Sequence, residues 1–244
     1  MLLKVPQSKK IAVVTGASSE IGVVIVKDLI LKGFYVVAQY NDNRPMLDDK
    51  VSQSVYLYKA DFLSGKGLAN FVTKLEFSLP YIDLIVNCAA LHEKHLTSLQ
   101  DEYSIFQKVS KINTFVPIYI VKKLHKKMLK RENSLIISIS SFYAVGKGSL
   151  SNIFYATTKT SLLTMSRIFA LEYIPIRSNV IIPGYVDTKT YRKGRSNKDI
   201  ENDKKSSLNK ELTSSVSILK TVEFIINNKS INAAEIKVDG GLYI

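Results

Sequence analysis

The sequence alternates short runs of continuous apolar residues with longer segments in which apolar residues recur at helical spacing. Because a strand with one solvated face alternates apolar and polar residues, continuous runs indicate strands buried on both faces of a parallel sheet. This alternation predicts an α/β fold, a doubly wound parallel sheet of about seven strands with helices on both faces. The predicted strands are Ile11–Thr15, Tyr35–Tyr40, Val55–Ala60, Leu84–Asn87, Leu135–Ser140, Asn179–Ile182 and Ile236–Val238. The predicted helices are Glu20–Lys32, Lys66–Glu76, Asp101–Arg131, Asn152–Tyr173 and Ser214–Asn227.

The length and composition are those of one globular domain. The chain has 244 residues, of which 46% are hydrophobic and 23% charged, without an internal repeat or a low-complexity linker. We therefore predict a single domain over residues 1–244. Charged residues interrupt every apolar run well before the roughly 18 residues that a membrane span needs, and no secretory signal precedes the first strand. A cytoplasmic location is expected, and the single cysteine, Cys88, predicts neither an internal disulfide nor a metal site.

Two segments depart from the alternation. Asn41–Ser54 contains Pro45 and little helical periodicity, so the crossover between the second and third strands is predicted to be short. Tyr185–Glu211 is rich in Lys, Asn, Ser and Asp. This composition predicts a long mobile loop, which is a common form for a segment that covers a substrate.

A glycine-containing turn follows the first strand directly. The sequence from Thr15 to Gly22 is Thr-Gly-Ala-Ser-Ser-Glu-Ile-Gly, and it leads into a helix. Small residues at such a turn let backbone N–H groups and the positive end of the helix approach a pyrophosphate. A tight turn without any ligand is the alternative for an isolated match.

This turn resembles the TGxxxGxG turn of the short-chain dehydrogenase/reductase family. The resemblance implies a Rossmann-like fold and cofactor contacts from Gly16, Ser18, Ser19 and Ile21. The chain departs from the family where Glu20 replaces the middle glycine. Its carboxylate either adds bulk and negative charge near the pyrophosphate or points outward as a stabilising acid in the first helical turn.

The end of the second strand bears on the choice of cofactor. An acid at this position would accept hydrogen bonds from the adenosine ribose and favour NAD. Counted from Gly33, the family position is Tyr40, which is not acidic, and Arg44 lies nearby. NADP is therefore favoured over NAD, although Asp42 argues in the other direction.

Two further segments of the chain match the family. Asp61, followed by Phe62, resembles the aspartate that meets the adenine ring, and Asn87-Cys88-Ala89-Ala90 resembles the family's NNAG stretch. The resemblance implies cofactor contacts from Asp61, Phe62, Asn87 and Ala89. For Asn87 a structural role, in which a buried amide ties neighbouring strands together, is the alternative.

Tyr155-Ala156-Thr157-Thr158-Lys159 is the most informative pentapeptide for the chemistry. On a helix, residues four apart share a face, so the phenol and the ammonium can serve one site. A nearby cation lowers the pKa of a phenol, and an upstream serine hydroxyl can stabilise charge on a carbonyl oxygen. Ser141 is the predicted serine, with Ser140 as the alternative, because the spacing to Tyr155 is one residue longer than in the family.

These motifs occur in the family's order, so the resemblance spans the chain. It implies that Asn113 maintains a proton relay with Lys159, and that Pro183, Gly184, Val186 and Thr188 lie against the nicotinamide. It also implies a homodimer or homotetramer formed through the helices Asp101–Arg131 and Asn152–Tyr173. The subgroup that the chain resembles is the 3-oxoacyl-acyl-carrier-protein reductase type, on its length and its Val-Asp-Gly-Gly ending.

The charge adds a hypothesis about partners. Lys and Arg number 34 against 21 Asp and Glu, which gives a net charge of +13 and favours anionic partners. The densest basic stretch either complements a helix C-terminus in water or docks an acidic acyl carrier protein. It comprises Lys122, Lys123, Lys126, Lys127, Lys130 and Arg131. No nucleic-acid motif accompanies it, so neither nucleic acid nor a membrane is an expected partner.

The sequence therefore predicts an NAD(P)-dependent oxidoreductase that interconverts a carbonyl and a secondary alcohol. Ser141 would orient the carbonyl, Tyr155 would donate the proton, and Lys159 and Asn113 would support it. The alternative is a catalytically weakened dinucleotide sensor or scaffold, suggested by Glu20 and the longer Ser–Tyr spacing.

Overall fold

The computed structural model describes residues 8–47, 53–93, 99–146 and 148–242. Across these residues seven strands form one sheet in the order β3-β2-β1-β4-β5-β6-β7, and every neighbouring pair is parallel. The strands are β1 (Ile11–Thr15), β2 (Tyr35–Tyr40), β3 (Val55–Lys59), β4 (Leu84–Asn87), β5 (Leu135–Ile139), β6 (Arg177–Pro183) and β7 (Glu235–Val238). The α-helices are α1 (Glu20–Leu31), α2 (Gly65–Ser78), α3 (Leu99–Ser110), α4 (Val116–Met128), α5 (Ile153–Glu172), α6 (Lys189–Arg192), α7 (Asn197–Lys205) and α8 (Ser215–Asn227). The predicted fold class, a Rossmann-like doubly wound sheet, is confirmed.

Neighbouring residues within one strand face opposite helical layers. Ile11 and Val13 belong to the hydrophobic cluster shared with α2 and α4, whereas Ala12 and Val14 belong to the cluster shared with α1 and α8. All four are completely buried. Two-sided burial is the physical reason that the strands read as continuous apolar runs.

The strand order opens a crevice between β1 and β4. After β1 the chain builds outward through β2 and β3, then crosses back to place β4 on the other side of β1. Connections that leave these two strands run in opposite directions, so the space above their carboxyl ends stays open. Thr15 and Asn87 pair at the ends of the two strands and mark the floor of this crevice.

The sequence predicts one continuous helix over Asp101–Arg131, and this was wrong, because the helix is interrupted. α3 ends at Ser110, a π-helical turn occupies Lys111–Phe115, and α4 begins at Val116. Pro117 has no N–H and cannot donate to the carbonyl of Asn113, as regular α-helical geometry would require. The helix instead widens, and the Val116 N–H bonds to the Lys111 carbonyl.

For Tyr185–Glu211 the sequence predicts a long mobile loop, but the segment contains α6 and α7. The prediction of a continuous loop there was therefore wrong. Ser196 and Asp199 form a reciprocal capping box at the start of α7, and Ile200 is buried beneath it. The sequence signals for α7 were a capping residue, an acid three positions later and one apolar residue. They are inconspicuous in a segment of such polar composition.

The remaining boundary differences are small. β6 begins at Arg177, two residues before the predicted strand, and Gly33 adopts a φ of +84° just beyond α1, a conformation typical of the residue that follows a helix. Part of the predicted short crossover within Asn41–Ser54, residues 48–52, lies outside the described residues. No helix in the described part of the chain is both long enough and apolar enough to cross a bilayer.

Candidate active site

A cavity of about 510 Å³ opens at the carboxyl ends of the central strands. Most of the site residues predicted from the sequence line it. They are Gly16, Ser18, Ser19, Ile21, Asp61, Phe62, Ala89, Ser141, Tyr155, Lys159, Pro183, Gly184, Val186 and Thr188. The predicted residues Tyr40, Arg44, Asn87 and Asn113 do not line it.

The turn after β1 has the close backbone approach that a pyrophosphate site needs. Gly16 has a φ of +65°, and a Cβ atom there would lie 2.6 Å from backbone atoms of Ala89. A Cβ atom on Gly22 would lie 2.4 Å from the Gly16 carbonyl oxygen. Both positions therefore require glycine. The side chain of Ser19 caps α1 by accepting a hydrogen bond from the Gly22 N–H.

Glu20 reaches across the cavity instead of pointing away from it. Its Oε2 atom accepts a hydrogen bond of 2.7 Å from the backbone N–H of Lys189, at the start of α6. Glu20 also lines the cavity. The departure from the family pattern thus connects the glycine turn to the segment that follows β6.

At the end of β2 the cavity is lined by Gln39, Asn41 and Asn43, whereas Tyr40 was the predicted contact. Successive side chains of a strand point to opposite faces, so residues on either side of Tyr40 share the cavity face. Gln39 is buried; its Oε1 atom accepts from the Gly16 N–H at 3.0 Å, and its Nε2 atom donates to the Ala60 carbonyl at 2.7 Å. Arg44 is exposed outside the cavity.

Gln39 is not among the residues predicted from the sequence, because the ribose-recognition argument concerns only a charged group at the end of the second strand. Its amide joins the glycine turn to the end of β3, so it holds the cavity floor in shape. A polar residue inside an apolar strand was the available signal, since a buried amide needs hydrogen-bond partners.

The side of the cavity formed by the ends of β3 and β4 is fixed by local hydrogen bonds. Asp61 accepts a hydrogen bond of 2.8 Å from the Leu63 N–H, and the Phe62 ring is buried. Asn87 is also buried and donates 3.1 Å to the Ser138 hydroxyl on β5. The structural alternative for Asn87, a tie between strands, matches this geometry.

Ser141 and Ser140 have different surroundings. The Ser140 hydroxyl is buried and donates to the backbone carbonyl of Lys159 at 2.9 Å. The Ser141 hydroxyl accepts from the Tyr143 N–H at 3.3 Å, and its interaction with the Tyr155 phenol lowers the pKa of that phenol. Both serines line the cavity, and Ser141 is the one whose side chain interacts with Tyr155.

Burial controls the ionisation of Tyr155 and Lys159. It raises the pKa of Tyr155 to about 12, and the hydrogen bond with Ser141 opposes this rise in part. Burial also lowers the pKa of Lys159 to about 8. The Lys159 Nζ atom donates to the Ile139 carbonyl at 2.8 Å and lies 5.6 Å from the Tyr155 ring centroid. At neutral pH the phenol therefore keeps its proton and the ammonium stays charged behind it.

Asn113 is a buried brace in the π-helical turn. Its Oδ1 atom accepts from the Leu91 N–H at 2.8 Å, and its Nδ2 atom donates to the Leu91 carbonyl and the Thr158 hydroxyl. Thr158 precedes Lys159 on α5. Asn113 thus connects the segment after β4 to the helix that carries Tyr155 and Lys159.

The fold and the Ser141, Tyr155 and Lys159 cluster define an oxidoreductase of the dinucleotide-binding α/β class. The sequence profile of the short chain dehydrogenase family matches residues 10–199. The chain therefore belongs to the short-chain dehydrogenase family.

Relatives with curated names differ in what they act on. The chain is 24% identical over 241 residues to a dihydromonapterin reductase of Citrobacter koseri, an alignment that covers 95% of each chain. It is 24% identical over 185 residues to a 3-oxoacyl-[acyl-carrier-protein] reductase of Buchnera aphidicola, covering 74% of this chain and 75% of that one. Among solved structures, 4-hydroxyisoleucine dehydrogenase complexed with NADH superposes with a TM-score of 0.85 at 22% identity, covering 96% of this chain and 98% of that one.

Proposed function

We propose that the protein interconverts a carbonyl and a secondary alcohol by hydride transfer with a nicotinamide dinucleotide, NADP in preference to NAD. The observation that carries this proposal is that Ser141, Tyr155 and Lys159 line one cavity together, with the buried Lys159 Nζ atom 5.6 Å from the Tyr155 ring centroid. A proton donor, an oxygen-binding hydroxyl and a fixed positive charge are the groups that carbonyl reduction needs.

The residues of the cavity fit a dinucleotide. Gly16, Ser18, Ser19 and Ile21 line the cavity at the N-terminus of α1, where backbone N–H groups would meet a pyrophosphate. Asp61 and Phe62 would flank the adenine, and Ala89 would lie beside the dinucleotide at the end of β4. Pro183, Gly184, Val186 and Thr188 would hold the nicotinamide, which supplies the hydride when bound.

Each group of the cluster has one task in the reduction. The Ser141 hydroxyl binds the substrate oxygen next to the Tyr155 phenol, which donates its proton as negative charge develops on that oxygen. Lys159 stabilises the phenolate that remains, because its ammonium lies behind the ring. Asn113 holds the helix that carries both residues and supports the return of the proton.

Steady-state assays test this function. Purified protein would be incubated with NADPH or NADH and a panel of ketones, acetoacetyl thioesters, sugars and dihydropterins. Oxidation of the dinucleotide that depends on a carbonyl substrate supports the proposal. Binding of the dinucleotide without turnover of any substrate supports the sensor alternative instead.

For the substrate class, a 3-oxoacyl thioester on an acyl carrier protein is the proposal that the basic stretch supports. Lys127 donates to the Leu79 carbonyl and Arg131 pairs with Asp83, so these two cations are committed to the fold. The other four lysines of the stretch, Lys122, Lys123, Lys126 and Lys130, are exposed, and Lys123 also lies 5.7 Å from the centroid of the Tyr119 ring. Faster turnover of the carrier-bound thioester than of the coenzyme A thioester, lost at high salt, is the expected signature. A dihydropterin, in which the hydride would add to a ring C=N bond instead of a carbonyl, is the second candidate, favoured by the coverage of the Citrobacter relative.

The first prediction concerns NADP. The cavity face at the end of β2 presents the amides of Asn41 and Asn43, which can donate to a 2′-phosphate. We expect NADPH to bind at least roughly tenfold more tightly than NADH, a difference of about 1.4 kcal/mol. Asn43→Asp would reduce this preference by repulsion, and Arg44→Ala measures whether the exposed guanidinium adds to it. Fluorescence titration gives the affinities, and equal native affinities would refute the assignment.

A second prediction concerns Glu20. Glu20→Gln keeps an acceptor for the Lys189 N–H but removes the negative charge from the cavity. Because a pair of unit charges at short range near a surface interacts by roughly 1 kcal/mol or more, the affinity for NADPH should rise about fivefold. Isothermal titration calorimetry at low salt checks this. A decrease would mean that the carboxylate helps to form the site.

A third prediction concerns oligomerisation. The described part of α5 carries Ile168 and Leu171 on one face, 50% and 72% exposed, and Phe115 on the π-helical turn is 50% exposed. We propose that these apolar side chains form the interface of a homodimer or homotetramer. Light scattering should give at least twice the 27.4 kDa of one chain. Ile168→Lys should shift the mass toward the monomer, and a native monomer at micromolar concentration would remove the proposal.

A further inference from the structure

An exposed histidine contacts the ring of Tyr155. His92 follows β4, next to Leu91, which lines the cavity. The centroids of its imidazole and of the Tyr155 ring are 4.7 Å apart, and the ring planes meet at 89°. His92 therefore stands at the mouth of the site, beside the phenol that faces the substrate.

A hydrogen-bond chain fixes the orientation of this imidazole. Its Nε2 atom lies 2.7 Å from the Asn152 Oδ1 atom. The Asn152 Nδ2 atom donates to the Ser149 hydroxyl at 3.1 Å, and the amide oxygen faces His92. Because an amide oxygen only accepts, Nε2 carries the hydrogen, and Nδ1 of the neutral ring keeps a lone pair.

The Nδ1 atom has no hydrogen-bond partner within the described ranges. Its ring is exposed, so the lone pair is available to a molecule that enters the site. An imidazole that is anchored through one nitrogen and free at the other is a rigid hydrogen-bond acceptor.

Asn152 lies within the part of the chain that departs from the family. It closes a 3₁₀ turn, Leu150–Asn152, directly before α5 and three residues before Tyr155. Asn152 thus provides an anchor for His92 at the start of the helix that carries the phenol. One short segment sets the positions of both rings.

We propose that His92 is a substrate-binding residue whose Nδ1 atom accepts a hydrogen bond from a hydroxyl or N–H group on the carbon next to the reacting carbonyl. This inference rests on the proposed function, since the substrate oxygen must lie at Ser141 and Tyr155. The neighbouring carbon then lies within reach of the imidazole beside the phenol. Among simple ketones this contact favours hydroxyketones. Between the two candidate substrate classes it favours the dihydropterin, which has a ring N–H group near the reacting carbon, over the 3-oxoacyl thioester, which carries neither a hydroxyl nor an N–H group there.

The test compares acetoin with butan-2-one, which lacks only the hydroxyl group. The quantity measured is the ratio of their kcat/KM values at saturating NADPH. His92→Phe keeps an aromatic ring against Tyr155 but removes both nitrogens, and should lower the ratio about fivefold to tenfold. Asn152→Ala frees the imidazole and should lower it by a smaller factor. Leu150→Ala, in the same segment and 83% exposed, should leave the ratio unchanged.

His92→Gln adds a rescue, because its side-chain oxygen restores an acceptor, and it should recover part of the ratio. Nitrogen NMR of the native imidazole should show the hydrogen on Nε2, and Asn152→Ala should shift the tautomer balance. If His92→Phe does not fold, the NMR measurement and the Asn152→Ala variant still test the proposal.

Each remaining outcome has a separate meaning. The same ratio in the native protein, His92→Phe and Asn152→Ala would overturn the role of His92 and leave the proposed function intact. Reduction of other carbonyls but of neither ketone would also overturn it. Binding of NADPH without turnover of any carbonyl would overturn the proposed function itself.

Discussion

Tyr155→Phe is expected to lower kcat by about 10²- to 10⁴-fold, the range typical of a lost general acid. The substitution removes the phenol hydroxyl and leaves the ring in contact with His92. Since burial raises the pKa of this phenol to about 12, it carries its proton throughout the neutral range and can donate it to the substrate oxygen. Single-turnover reduction with bound NADPH, compared with the native protein, measures the effect.

Tyr143→Phe is the matched control. Its ring centroid lies 6.2 Å from that of Tyr155, and it loses the same atom from the same region. We expect its kcat to stay within about tenfold of the native value, and the affinity for NADPH to be unchanged in both variants. Native-like turnover by Tyr155→Phe would remove the phenol from the chemistry and leave Ser141 without its proposed partner.

The fold follows from the sequence because its signals are local. Strands buried on both faces leave continuous apolar runs, and the glycines at positions 16 and 22 sit where the backbone leaves no space for a Cβ atom. The four-residue spacing of Tyr155 and Lys159 needs only helical periodicity to bring them to one site. These features depend on a few neighbouring residues, so they can be read without knowing the packing.

Features that depend on distant contacts were not readable in this way. The choice of cavity residues at the end of β2 depends on which strand face meets the crevice, and an error of one residue selected Tyr40 over Gln39 and Asn41. The direction of Glu20 depends on the Lys189 N–H, which lies 169 positions away in the chain. The acceptor role of His92 depends on Asn152 in another segment.

Lys159 shows a limit of spacing arguments. The sequence places its ammonium near Tyr155 and predicts a lowered phenol pKa. In the structure Nζ donates to the Ile139 carbonyl, and burial raises the pKa of the phenol. Spacing gives the proximity of the two groups, but the degree of burial decides the sign of the shift.

Lys159→Met is expected to lower kcat by about 10²-fold or more, because the phenolate left after proton donation loses its nearby positive charge. In the native protein the pKa of Lys159 is lowered to about 8, so the ammonium is charged below that pH and neutral above it. The rate of reduction should therefore fall as the pH rises through about 8. The rate of the Lys159→Met variant should not show this fall. The control is Lys127→Met, which removes a lysine that donates to the Leu79 carbonyl and does not line the cavity. The rate of this variant should still fall as the pH rises through about 8.

The same substitution should stabilise the fold at neutral pH. Burial lowers the pKa of Lys159 from 10.5 to about 8, so a charged lysine at this site costs roughly 3 kcal/mol relative to the unfolded chain. Loss of the hydrogen bond to Ile139 offsets part of this, and a net gain of about 1–2 kcal/mol is expected for Lys159→Met at pH 7. Between pH 8 and 10.5 the unfolded native chain binds more protons than the folded one, so native stability rises with pH there and the advantage of the variant shrinks. Urea unfolding at pH 7 and pH 10 measures both effects. A variant less stable than the native protein at pH 7 would show that the ammonium's hydrogen bond outweighs its desolvation, and that the site holds its charge without a cost to folding.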